Sequence, residues 1–506
     1  MVLDGVVDST AWSHPQRAKN GGRFLSGGLR FRKTRCRSST DHMRRVVLLR
    51  RRMSGFIVRK EFAMTTDLFA DVRAPAGYAQ DSLFPAECGG PLRLKAPPVP
   101  GLRIGPSETL AATSRFTGRW NVMFLWKGRE RLYLYGTSRL ASPDPHGCVE
   151  EVDPETLAPV KTSLPLPCGV HIWCGALLMH ENSDLYVVNG SFMHRLDADL
   201  NILAERRLPV DRPYNGALIM ADGRLLTKEL RLSGEPSSFT VLHPETLEVE
   251  LVLAMSEPSM GRIAAQRQAD GSDHIYVPGD EHVFRYIYKR GGLTQDPSWR
   301  PRYREKDSAS GRAWDTCLGD GSVWLFDNGD IPVVRQIHAA HPAGSNPPIS
   351  DPNAFSTGLR LRRVSMEDDT WIDVLEPSGA PNGWVIAPPV YVPQHRVVIG
   401  YDTGNATVKA WRYLGPGSFK ELWSKQVMNW WQPLVYPDSA ELVMDDMTGE
   451  GDDLVVIDLL TGAEKARVAT GSHWPNGMFP CPGRGRDLYY VSDPVVARVE
   501  VVERAR

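Results

Sequence analysis

A short unit of strands and turns recurs along most of this chain, and its clearest copy lies near the C-terminus. There a turn that begins at Trp474 leads into an apolar strand, residues 487–493 form a second strand after a polar hairpin, and residues 497–502 alternate as a third. Cruder copies begin near residue 120, and each ends in a hairpin whose turn carries Asp, Pro or Gly. Such residues suit tight turns because they supply preset or positive φ angles and local hydrogen bonds.

Eight copies at a spacing of roughly 40–50 residues predict an all-β fold, a single β-propeller of about eight four-stranded blades. Seven blades is the alternative. In a ring of blades each sheet packs on its neighbours, and the ring closes without long free edges. Because the last copy has no clear fourth strand of its own, we expect an N-terminal strand within residues 90–106 to close the ring.

The charges divide the chain into a basic leader and an acidic body. Residues 1–60 hold 12 Arg and 3 Lys against 3 Asp, whereas the whole chain has a net charge of −1. We expect residues 1–63 to be a disordered leader or the product of a mis-assigned start, with Met53 or Met64 as the true initiator; a nucleic-acid arm or a transit peptide is the alternative. Residues 64–118 read as an irregular lead-in that contains the closing strand, and residues 119–506 as the propeller.

The cysteines and the hydropathy pattern limit the compartment and the partners. None of the seven cysteines forms a CxxC pair, and no apolar stretch approaches 20 residues. These patterns disfavour a zinc ribbon, a redox motif and a membrane span, and they favour free thiols in a cytoplasmic setting. We expect a small-molecule substrate and neither nucleic acid nor membrane as a partner; the oligomeric state stays open.

The loops that lead into the innermost strands of a propeller meet at one mouth of its central channel, where ligands commonly bind. The corresponding positions of this chain are rich in Trp, Asn and His. As catalytic groups we predict Asp315, His171 and His473, since a histidine can transfer protons at neutral pH. The predicted substrate-binding residues are Trp173, Tyr214, Arg262, Arg312, Trp314, Trp384, Trp431 and Trp474. Packing between blades is the alternative role for the tryptophans.

Three of these loops contain an Asn-Gly pair, and a fourth contributes an aspartate. Asn-Gly is a strong turn signal by itself. Amide and carboxylate oxygens are also the ligands that a hard divalent cation prefers. The predicted metal ligands are Asn215, Asp315, Asn382 and Asn476.

The segment Pro475-Asn-Gly-Met, with the strands that follow it, resembles the metal-binding motif of the SMP-30/gluconolactonase propellers. The stretch from Arg312 to Leu325 resembles the aspartate motif of the same family. The resemblance implies one divalent cation, Ca²⁺, Mg²⁺ or Zn²⁺, that polarises a lactone or ester while Asp315 acts as base. That family has six blades, and its N-terminal glutamate ligand has no counterpart in residues 105–130.

Two functions follow as hypotheses. The first is a metal-assisted hydrolase of lactone or ester type that acts on a small substrate at the channel mouth, where the tryptophans favour an aromatic group. The alternative is a non-catalytic propeller that binds a protein partner or a small ligand, since a fold does not fix a function. A quinone-dependent dehydrogenase is disfavoured, because regular blade-to-blade Trp motifs and adjacent cysteines are missing from the sequence.

Overall fold

Short apolar strands between tight turns pair into eight antiparallel sheets, the blades of a β-propeller. The structure, a computed structural model, describes residues 74–139, 142–306, 308–330, 355–430, 432–448, 450–473 and 478–505. The predicted leader and residues 331–354 lie outside the described residues. No helix in the described ranges is long and apolar enough to span a membrane.

The strands follow one another blade by blade, from the channel outward. The first strand, β1 (Glu108–Phe116), precedes the first blade and belongs to the last. Blade 1 contains β2 (Trp120–Lys127), β3 (Arg131–Thr137), β4 (His146–Val152), β5 (Pro159–Thr162) and β6 (Leu166–Pro167), and blade 2 contains β7 (Cys174–Met179), β8 (Leu185–Asn189), β9 (Phe192–Leu196) and β10 (Ile202–Arg207). Blade 3 contains β11 (Tyr214–Ile219), β12 (Leu225–Glu229), β13 (Ser238–Leu242) and β14 (Val249–Ala254). Blade 4 contains β15 (Ala264–Arg267), β16 (Asp273–Pro278), β17 (Val283–Lys289) and β18 (Gly292–Gln295).

Blades 5 to 8 repeat the same order. Blade 5 contains β19 (Thr316–Gly319), β20 (Ser322–Phe326), β21 (Leu361–Ser365) and β22 (Ile372–Leu375), and blade 6 contains β23 (Val390–Val392), β24 (Val397–Asp402), β25 (Thr407–Gly415) and β26 (Ser418–Gln426). Blade 7 contains β27 (Leu434–Tyr436), β28 (Glu441–Met447), β29 (Asp452–Asp458) and β30 (Glu464–Ala469). Blade 8 contains β31 (Cys481–Pro482), β32 (Asp487–Val491) and β33 (Val495–Glu503), together with β1. Two single-turn 3₁₀ helices, Glu87–Gly89 and Pro437–Ser439, complete the described elements.

Burial explains the sequence texture of the strands. The inner strands β7, β8, β11 and β12 are buried along their whole length, because each inner strand lies between two neighbouring blades. The outer strands β10 and β14 alternate between partly buried and exposed residues. Continuous apolar runs therefore mark the inner strands, and alternating runs mark the outer ones.

The ring closes through β1, which pairs with β33 in an unbroken antiparallel register from Glu108 opposite Glu503 to Phe116 opposite Val495. An N-terminal strand therefore completes blade 8, as predicted, but its predicted position at residues 90–106 is wrong. Arg93, Lys95 and Arg103 all have positive φ angles, which are incompatible with an extended strand.

Residues 79–95 of the lead-in instead cross the central channel. Their main chain bonds to the innermost strands of four blades: Ala79 N donates to Met179 O at 3.0 Å, and Met179 N donates to Pro85 O at 2.9 Å. Amides of three other innermost strands also donate to lead-in carbonyls, from Ala265 N to Pro91 O at 2.8 Å, from Leu318 N to Leu92 O at 2.9 Å, and from Val435 N to Lys95 O at 2.9 Å. The lead-in thus ties distant blades together across the channel.

Candidate functional site

Asp315 lies inside the channel in a buried cluster of two carboxylates and two guanidinium groups, here called the ionic quartet: Glu87, Arg93, Arg262 and Asp315. Arg93 pairs with Glu87 at 2.7 Å and with Asp315 at 2.9 Å. Arg262 pairs with Glu87 at 2.9 Å, and its main-chain N donates to Asp315 Oδ1 at 2.7 Å. All four side chains are within 2 % of complete burial. The quartet carries no net charge, which is the condition for burying ions at tolerable cost.

The quartet leaves no room for the predicted cation. Both oxygens of Asp315 are engaged by groups of Arg93 and Arg262, and two guanidinium charges beside the carboxylate oppose the approach of another positive charge. Among the described residues no group of three or more His, Cys, Asp or Glu side chains is arranged to hold a metal ion. The donor set around Asp315 therefore does not fit a divalent cation.

Asn215 lies close to the quartet, yet its amide is committed to the protein. Its Oδ1 accepts a hydrogen bond from Trp173 Nε1 at 2.9 Å, and its Nδ2 donates to Met260 O at 2.7 Å. The side chain thus fixes the indole of Trp173 against the loop that leads into blade 4. Its predicted role as a metal ligand stays a prediction without support from these contacts.

The other Asn-Gly loops give less information. Asn382 is half-buried in a turn, with φ at 63°, and its N donates to Phe355 O at 2.9 Å. This geometry matches the turn role of the Asn-Gly pair. His473 is exposed to solvent. Trp431, Trp474 and Asn476 lie outside the described residues.

His171, Tyr214 and Arg312 lie at or just before the innermost strands β7, β11 and β19. His171 is half-buried, and burial lowers the pKa of its imidazole against the opposing influence of Asp211. Tyr214 is buried, with its pKa raised to about 12 by burial, and its hydroxyl accepts from Val210 N. Arg312 is held by Asp280 and Asp330, each at 2.8 Å. The groups at these three positions are therefore neutral or paired within the protein.

An aromatic cluster fills the channel beside the ionic quartet. It contains five tryptophans in edge-to-face contact: the ring centroids of Trp120 and Trp173 are 5.9 Å apart, those of Trp173 and Trp314 6.0 Å, and those of Trp384 and Trp430 4.9 Å. Arg262 of the quartet stacks on the ring of Phe479, which belongs to the same cluster, at 5.1 Å.

Most of this aromatic cluster is buried, but four partly exposed side chains pack on it: Ile202, Leu232, Ile386 and Trp430. Ile202 begins β10, the outermost strand of blade 2, whereas the other three lie in loops beside the inner strands. Ile386 and Trp430 precede β23 and β27, and Leu232 follows β12. We call Trp430, Leu232 and Ile386 the mouth edge.

Several of these residues escaped the sequence prediction. Glu87 and Arg93 belong to an irregular lead-in with no periodic pattern, so that nothing in the sequence places them in the channel. The one usable signal is the stretch Glu87-Cys-Gly-Gly-Pro-Leu-Arg93, in which two charged residues flank glycines and apolar residues. Trp120 precedes the first repeat, and its position at the start of an inner strand was a usable signal.

A surface cleft of about 310 Å³ lies elsewhere, between blade 8 and the outer hairpin of blade 1. Arg484, Arg486, Arg498 and Tyr489 are among its lining residues. Arg486 pairs with Glu108, and Arg498 pairs with another lining residue, so that these two guanidinium charges are already matched. None of the predicted site residues lines this cleft.

Comparisons with protein-family models and with curated protein sequences give no match. Solved structures share the fold. The quinohemoprotein alcohol dehydrogenase ADHIIG from Pseudomonas putida HK5 aligns with a TM-score of 0.50 at 8% identity, over 84% of this chain and 81% of that chain. BamB from Moraxella catarrhalis aligns with a TM-score of 0.49 at 13% identity, over 78% of this chain and 99% of that chain. The likeness to the dehydrogenase extends to the β-propeller fold alone, and it gives no support to the resemblance to the SMP-30/gluconolactonase family.

Proposed function

We propose that this protein is a non-catalytic β-propeller that binds a small ligand through an apolar or aromatic group at the mouth edge. The observation that carries the proposal is the half-buried indole of Trp430, packed edge-to-face on Trp384 at 4.9 Å. Flat aromatic surfaces bind apolar groups with large contact area and little loss of conformational entropy. Partly exposed Leu232 and Ile386 extend the same apolar surface.

The hydrolase hypothesis has less support. Both carboxylate oxygens of its proposed base, Asp315, accept hydrogen bonds from Arg93 and Arg262, so that neither is free to take a proton from a substrate. General-base catalysis needs the base within hydrogen-bonding reach of the proton that it removes. The donor set also does not fit the cation that the resemblance implies, and we derive no reaction step through a metal.

Binding can be tested with 1-fluoro-4-isopropylbenzene, an uncharged aromatic probe whose fluorine reports binding by ¹⁹F NMR. We expect saturable binding to the wild-type protein and a dissociation constant about tenfold weaker in Trp430→Ala, since one aromatic contact contributes about 1 kcal/mol or more beyond area burial.

Trp371→Ala is the matched control. Trp371 is 49% exposed and precedes β22, the outermost strand of blade 5, so that its removal takes away a more exposed tryptophan at the outer rim. It should leave the affinity unchanged. Equal weakening in both variants, or no effect of Trp430→Ala, would contradict binding at the mouth edge.

A further inference from the structure

Two neutral side-chain N–H groups beside the aromatic cluster are buried and have no hydrogen-bond partner among the described residues. They are Trp314 Nε1, on a side chain 1% exposed, and Gln432 Nε2, on a side chain 2% exposed. The other end of the Gln432 amide is used, since its Oε1 accepts from Cys88 Sγ at 3.3 Å. Both residues precede the innermost strand of their blade by two positions, β19 for Trp314 and β27 for Gln432.

Both donors belong to the surroundings of the aromatic cluster. The ring of Trp314 contacts that of Trp173 and shares the cluster with Trp384 and Trp430. Gln432 N donates to the carbonyl of Met478, and both Met478 and Cys88 are members of the same cluster. The donors thus lie in the wall of the apolar region on which the mouth edge packs.

Leaving a buried N–H without a partner is unfavourable, and folded proteins pair nearly all such groups with protein, water or ligand. A ligand that supplies an acceptor would recover this free energy on binding. Both donors are neutral N–H groups, which need an acceptor but no opposite charge. An uncharged oxygen is therefore an acceptor that suits them.

We infer that the ligand of the mouth edge is an uncharged aromatic compound whose carbonyl or ether oxygen accepts the hydrogen bond of Trp314 Nε1. This inference rests on the proposed function and adds a chemical class to it. The aromatic ring of the ligand packs at Trp430, and its oxygen reaches into the aromatic cluster toward Trp314.

The test compares two probes of nearly the same shape, 4-fluoroacetophenone and 1-fluoro-4-isopropylbenzene, by ¹⁹F NMR titration. Only the ketone has an acceptor oxygen. In Trp314→Phe the ring is kept and the N–H is lost, so that the dissociation constant of the ketone divided by that of the hydrocarbon should rise about tenfold over the wild-type ratio. Comparing this ratio between the variant and the wild type cancels the greater hydrophobicity of the hydrocarbon, which is the same in both proteins.

A second measurement uses the wild-type protein and so does not depend on the folding of the variant. In protein labelled with ¹⁵N-tryptophan, the ketone should move one indole N–H resonance downfield, and the hydrocarbon should not. If both probes bind and neither the ratio nor any indole resonance distinguishes them, the inference is overturned while the proposed function stands. If neither probe binds, the proposed function fails and the inference with it.

Discussion

Asp315 and Asp452 are both buried carboxylic acids, but the charges around them differ in sign: positive around Asp315 and negative around Asp452. Asp315 contacts two guanidinium groups. Asp452, at the start of β29, faces the hydroxyl of Tyr490 together with the like charges of Asp446 and Asp453. Burial raises the pKa of Asp452 to about 8; the hydrogen bond from Tyr490 opposes this rise and the two aspartates add to it. A buried acid without a counter-ion is kept neutral, whereas one between two arginines is kept paired.

The pH dependence of stability should therefore contain a contribution from Asp452. Its folded pKa lies above the unfolded value, so that its stabilising effect is full below about pH 4 and is lost as the pH rises toward 8. Asp452→Asn keeps a neutral side chain and removes this dependence. The difference in thermal unfolding midpoint, variant minus wild type, should therefore become more positive by a few degrees from pH 5 to pH 9, because only the wild type loses stability as Asp452 ionises.

Asp453→Asn is the control, because Asp453 is partly exposed and pairs with Arg467 at 3.3 Å. Its difference from wild type should not grow more positive with pH. Unfolding midpoints of Asp452→Asn and wild type that stay parallel from pH 5 to pH 9 would show that Asp452 is ionised in the folded protein.

Among the structural elements, the lead-in depends on blade 7 for its last anchor. Glu441, the first residue of β28, accepts hydrogen bonds from three consecutive main-chain N–H groups: Leu102 at 2.8 Å, Arg103 at 2.9 Å and Ile104 at 3.0 Å. Its carboxylate also pairs with Lys465 at 2.6 Å. One side chain thus fixes the turn that directs the chain into β1.

Glu441→Ala should leave these main-chain donors without an acceptor and lower the free energy of unfolding by about 2–4 kcal/mol. Denaturant unfolding measures this loss. Hydrogen exchange should accelerate in peptides that cover residues 99–107, whereas peptides of blade 3 should keep their protection. Glu464→Ala removes a more exposed carboxylate of the same blade and should change stability little. Unchanged exchange at residues 102–104 in Glu441→Ala would refute the anchor.

The elements differ in how far the sequence predicts them. The blades follow from local signals, since apolar runs such as Leu185–Asn189 and turns with Asp, Pro or Gly recur at regular spacing. The path of residues 79–104 does not, because its partners are single residues of blades hundreds of positions away, such as Asp315 and Glu441. At the candidate site, the sequence analysis predicts Trp173, Trp314 and Trp384 at the mouth, and the structure places all three in the aromatic cluster. It does not predict Arg93, the lead-in arginine that engages Asp315.

At the scale of the whole molecule, the channel contains one crossing segment, the ionic quartet and the aromatic cluster. The lead-in contributes Glu87 and Arg93 to the quartet and Cys88 to the aromatic cluster. The charged groups of the quartet pair with one another, which favours a structural role. The aromatic cluster combines the partly exposed mouth edge with two neutral N–H donors that have no hydrogen-bond partner among the described residues, and we therefore place ligand binding there.

An X-ray structure of the wild-type protein soaked with 4-bromoacetophenone tests this placement most directly, because the anomalous signal of bromine locates the probe without bias. The account predicts a bromine peak at the mouth edge, within van der Waals contact of Trp430, with the ketone oxygen within hydrogen-bonding distance of Trp314 Nε1. A probe bound only in the cleft between blades 8 and 1, or at Asp315 with the lead-in displaced, would contradict it.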